Sequence, residues 1–101
     1  MHKSFKAELF VNDAAIELNP FVEQFLAGTV AGGVSSLRGV ENIERLELGI
    51  EGGDVRLIVN GEGVPLTPFP ADVIRSTVIG LVSSLKGVGE VESAEIRVKI
   101  I

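Results

Sequence analysis

Few side chains in this sequence can do chemistry on their own. There is one histidine, His2, and there is no cysteine, tyrosine or tryptophan. A serine hydrolase needs a base beside its nucleophile. His2 is the sole imidazole on offer, at a terminus of the kind that frays. A zinc centre built from nitrogen and sulfur donors has nothing to bind with. The 14 carboxylates could hold a hard cation, yet the Asp-x-Asp-x-Asp-Gly spacing of a calcium loop does not occur. These gaps point to a non-enzymatic protein with no cofactor and no metal.

Four features remain to be weighed. Glu44, Glu47, Glu92 and Glu95 resemble paired carboxylates for acid–base work. By strand parity Glu44 and Glu47 point to opposite faces, so they read as solvated strand charges. Asn60-Gly61-Glu62-Gly63 precedes a helix, as anion-cradling loops do. It has no phosphate-binding lysine, and its counterpart Asn12-Asp13-Ala14-Ala15 has no glycine and puts a negative charge, Asp13, where this loop has Gly61. Plain turn chemistry is the better reading.

The third feature is an open sheet face. Strand alternation puts Lys6, Glu8 and Phe10 on it, with Arg56 and Ile58. Phe10, Arg56 and Ile58 are expected on the two central strands, as a candidate binding surface. Arg45, Glu47, Glu51, Glu95, Arg97 and Lys99 would flank them. An apolar centre ringed by basic residues has the layout of a single-stranded RNA platform. However, it offers one aromatic ring, and the chain carries a net charge of −5. Proteins that live on phosphate backbones are usually basic, which argues against nucleic acid and against an anionic membrane surface.

The fourth feature is the helix surface opposite the apolar stripe. On the first helix it reads Gln24, Ala27, Gly28, Ala31, Ser35 and Arg38, and on the second Asp72, Ser76, Ile79, Gly80 and Ser83. A free helix surface is normally rich in Glu and Lys. Here the middle is small and uncharged, so Gln24, Ala27, Gly28, Ala31 and Ser35 are the expected protein interface.

The elements that must position these residues come in two copies. Seventeen of the 42 positions from 9 to 50 carry the same residue 48 positions later, without a gap. Val34-Ser35-Ser36-Leu37-Arg38-Gly39-Val40 lies on Val82-Ser83-Ser84-Leu85-Lys86-Gly87-Val88, and Pro20-Phe21 on Pro68-Phe69. The repeat spans 9–50 and 57–98, and a pseudo-twofold fold follows. Period-two alternation marks strands near 4–12, 44–51, 55–59 and 94–100, with a two-glycine turn at Glu51-Gly52-Gly53-Asp54. Asn19 and Thr67, each followed by proline, open two helices. In the first, Phe25, Leu26, Thr29, Val30, Val34 and Leu37 form the stripe; in the second, Val73, Ile74, Thr77, Val78, Leu81, Val82 and Leu85. Gly39 and Gly87 sit where a left-handed residue would end each helix.

The expected fold is α+β, one domain over 1–101. Two tandem βαβ halves form a ferredoxin-like plait, a four-stranded antiparallel sheet with two helices on one face. An alternative adds short hairpin strands at 12–18 and 60–66, segments long for plain loops. At 46% hydrophobic and 23% charged the chain is globular. The absence of cysteine suits a reducing cytoplasm, and no signal peptide or bilayer-spanning run is visible. The favoured function is a protein-binding or assembly domain that self-associates as a homodimer. The alternative is a small-molecule regulatory domain with ligand held between subunits near 12–18 and 60–66. RNA binding on the sheet and a non-catalytic enzyme subunit rank below these.

Overall fold

The computed structural model describes residues 4–101; His2 lies outside them. The chain runs β1 (Phe5–Val11), β2 (Ala14–Ile16), α1 (Pro20–Ser35), β3 (Arg45–Glu51), β4 (Asp54–Val59), β5 (Glu62–Val64), α2 (Pro68–Ser83) and β6 (Ser93–Ile100). All eight form one α+β unit with a six-stranded antiparallel sheet in the order β2-β1-β6-β3-β4-β5. Equivalent elements keep the 48-residue spacing, with the helices beginning at Pro20 and Pro68 and the short strands at Ala14 and Glu62.

Two tight turns set that order. Val11 and Ala14 are joined through Asn12 and Asp13, with φ of 50° and 67°, and Val59 and Glu62 through Asn60 and Gly61, with φ of 52° and 85°. Positive φ at both central residues is the type I′ hairpin geometry that matches strand twist. Segments 12–18 and 60–66 therefore hold the short strands β2 and β5, which take the outer sides of β1 and β4. In a plait the third long strand lies at the centre. Here one side of β4 is filled by β5 and the other by β3. The side left for β6 is that of β3, so β3 and β6 become central and β1 and β4 flank them.

The two asparagines also tie the halves together. Asn12 Oδ1 accepts from the Glu92 and Ser93 amides at 2.8 and 3.0 Å, and its Nδ2 donates to the Glu90 carbonyl at 2.8 Å. Asn60 does the same 48 residues on, accepting from Glu44 and Arg45 and donating to the Asn42 carbonyl. Each side chain thus fixes the loop that leads into a central strand.

One face of the sheet carries the core. Leu9, Ile96, Leu48 and Leu57 stand in one cross-strand row, all buried, with Leu26, Val30, Val34, Val78 and Val82 of the helices packed on them. Full burial of each such side chain contributes roughly 1.5–3 kcal/mol.

The roll of α1 differs from the expected one. Ala27 and Ala31 are 0% and 6% exposed and belong to the core, while Phe25 is 53% exposed. Small residues let the helix backbone settle close to the sheet; a Cβ on Gly28 would stand 3.7 Å from the Phe5 ring. On α2 the positions of Ala27 and Ala31 are held by Arg75 and Ile79, and that helix buries only Val78 and Val82. The glycines do not cap the helices. The helices end at Ser35 and Ser83, with Ser36 and Ser84 as C-caps. Gly39 and Gly87, both at φ 86°, serve the following turns, where Val40 and Val88 amides bond the Leu37 and Leu85 carbonyls.

Candidate functional site

Two surfaces stand out, one on each side of a slab measuring 35 × 34 × 19 Å. The first is the helix layer. A sheet of six strands at about 4.8 Å spacing is about 29 Å wide, and two helices of about 10 Å diameter cover about 20 Å of it. The layer is therefore incomplete, and a groove of about 260 Å³ opens between the later half of α1 and the first half of α2. Thr29, Val30 and Gly33 line one wall, Phe69, Val73 and Thr77 the other, and no charged side chain enters it.

Four large apolar side chains stand exposed on the helices: Phe69 at 77% and Val73 at 48% line that groove, and Phe21 at 75% and Phe25 at 53% stand on the first half of α1. The Phe21 and Phe25 rings stack on each other in the open, 5.9 Å apart and 8° from parallel. Glu23 and Gln24, which could have made α1 polar here, turn to the sheet edge instead. Glu23 Oε2 accepts from the Ala7 amide at 2.9 Å, and Gln24 bonds both the amide and the carbonyl of Phe5. They cap the part of β1 that β2 is too short to cover. On α2 Arg75 is likewise occupied, its Nε donating to the Gly52 carbonyl at 2.8 Å.

Of the residues expected at the interface, Gln24, Gly28 and Ser35 remain at or near the surface, while Ala27 and Ala31 do not. Buried in the core, these alanines cannot meet a partner. In the sequence Phe25 fits a helical stripe with Leu26 and Val30, which places it in the core. The available signal was Pro-Phe at both helix starts, where Phe21 and Phe69 stand exposed.

The second surface is the open sheet face. Its centre is charged. Glu95 on β6 lies 3.1 Å from Arg97 and 3.9 Å from Arg56, and Arg97 covers the Phe10 ring at 5.2 Å. Phe10 on β1 and Ile58 on β4 stand three strand spacings apart, about 14 Å, so the expected apolar centre does not form. Gly49 leaves a bare spot on β3 where Arg56 lies flat; a Cβ there would be 2.9 Å from its Nη2. A concavity of about 500 Å³ covers this region, walled by Phe10, Arg56, Glu95, Arg97 and the acids Glu51 and Asp54. Glu47 points onto the same face opposite Arg97, whereas Glu44 and Glu92 precede their strands and are exposed.

Among the described residues no three of His, Cys, Asp or Glu gather into a metal-holding group, and no helix is long and apolar enough to cross a membrane. Compared with known protein families, with curated proteins and with solved structures, the chain matches none.

Proposed function

We propose that this chain is a small non-enzymatic assembly domain that self-associates through its helix layer, as a homodimer with the two sheets outermost. The observation that carries the reading is the exposure of Phe21, Phe25, Phe69 and Val73 on the helix layer, where Phe69 and Val73 line an uncharged groove. Large apolar patches of this kind on a small domain mark contact surfaces. Phe21 and Phe69 occupy equivalent positions of the two halves, which favours the self-complementary patch that an isologous contact needs.

The surface area supports it as well. The chain exposes 6617 Å², against about 5500 Å² for a compact monomer of its mass. The excess is about 1100 Å². It is of the size that one partner surrenders at a standard interface, about 800 Å².

Light scattering over a concentration series tests the reading. The expected result is a dimer, converted to a folded monomer by the double change Phe69→Ser and Val73→Ser. A wild-type chain that stays monomeric throughout overturns it.

A further inference from the structure

The open sheet face has ends of opposite sign. The strand register aligns Lys6, Lys99 and Arg45 side by side across β1, β6 and β3 at one end. At the other end Glu51 faces Asp54 across β3 and β4. Like charges directly opposite one another destabilise a sheet, so local stability favours neither cluster. Among the described residues none of these five side chains is in an ion pair; the two pairs on the face are Arg56–Glu95 and Arg97–Glu95.

The polarity coincides with the repeat. Inward positions keep their type at 48-residue spacing, as Leu9 and Leu57 or Ile50 and Val98 do. Three outward positions reverse sign, Lys6 to Asp54, Glu8 to Arg56 and Glu51 to Lys99, while Glu47 and Glu95 keep theirs. A face with five cations and five carboxylates (Lys6, Arg45, Arg56, Arg97, Lys99; Glu8, Glu47, Glu51, Asp54, Glu95) is neutral in a chain of net charge −5. Its charges are segregated rather than absent.

We propose that a second copy of this chain seats on the open sheet face, turned half a revolution about an axis lying across the strands. That operation places the basic end of each copy over the acidic end of the other, with Arg45 above the partner's Glu51 and Lys99 beside it. Rotation about the strand direction would instead set cation on cation. Sheets stacked face to face lie about 10 Å apart and cross at about 30°, a gap that Arg, Lys and Glu side chains bridge directly or through water. The contact is wet, charged and screened by salt, because opposite charges gain little where they remain hydrated. It uses the face opposite the helix layer. Where the helix contact proposed above also forms, the two together extend an open stack instead of closing a ring.

Sedimentation velocity of the full chain at about 0.01 M and about 1 M salt, where the screening length falls from about 30 to about 3 Å, tests this. The expected result is growth beyond the dimer at low salt and return to the dimer at high salt. R45E and E51R alone each hold the low-salt mass at the dimer. R45E/E51R together restore growth, because the swapped ends are again complementary. A mass that does not respond to salt, or a double variant no better than the singles, overturns the proposal. A chain that is dimeric at low salt and monomeric at high salt removes the helix-layer contact and keeps this one, so the two readings fail separately.

Discussion

At Asn60 the backbone turns with φ 52° and the side-chain amide reaches three backbone groups of the 42–45 loop. Asparagine does both tasks, tolerating the left-handed region while bonding locally. Asn60→Ala removes three hydrogen bonds and adds backbone strain, so it should cost about 2–3 kcal/mol. In a domain of this size that is a fall in Tm of roughly 10–20 °C. Asn60→Gly relieves the strain and loses only the clamp, so it should melt between wild type and alanine. Thermal unfolding by circular dichroism checks the order; an alanine variant as stable as glycine would remove the strain argument. The Asn-Gly pair was legible as a hairpin in the sequence. The clamp was not, because its partners come from 15 to 18 residues away at Asn60 and from about 80 away at Asn12.

At the scale of elements, the two helices begin alike and are capped differently. Asn19 Oδ1 accepts from the Val22 amide at 2.8 Å. Thr67 has the same backbone angles and makes no such bond, because the third helical residue of α2 is Pro70, which has no N–H to donate. Asn19→Ala should therefore cost about 1 kcal/mol, and Thr67→Ala less than about 0.5 kcal/mol, both measurable by denaturant unfolding. A large loss at Thr67 would mean that its hydroxyl acts elsewhere. The roll of α1 gives a second expectation. With Ala31 6% exposed beneath the helix, Ala31→Lys should abolish the cooperative transition, since a lysine there must bury its charge or force the helix off the sheet. An Ala31→Lys protein that melts like wild type would return this residue to the surface.

For the molecule as a whole, association and stability are linked. If folded chains pair through the helix layer, mass action makes Tm rise with protein concentration. The Phe69→Ser and Val73→Ser variant should lose that dependence and keep its fold, because both side chains are already about half exposed or more. Calorimetry over a hundredfold concentration range is the check, and a flat wild-type Tm would count against pairing. The sheet contact should leave this dependence unchanged at high salt, where it is screened.

Much of this architecture was written locally in the chain. Alternation fixed which side of each strand is apolar, proline and asparagine fixed where α1 starts, and the 48-residue repeat fixed that every element occurs twice. These depend on neighbours a few residues apart, which a sequence displays directly. The strand order was decided in three dimensions, by which edges the hairpins β2 and β5 had already filled. So was the roll of α1, a helix whose one charged residue, Glu23, is drawn to the sheet edge. Apart from Glu23 and Gln24 its residues are small or apolar, so no broad polar face fixes the rotation of such a helix. Volume does, and the alanines fit against the sheet where the phenylalanines do not. The row of Lys6, Lys99 and Arg45 arose the same way, from three strands far apart in the chain whose register only the assembled sheet defines.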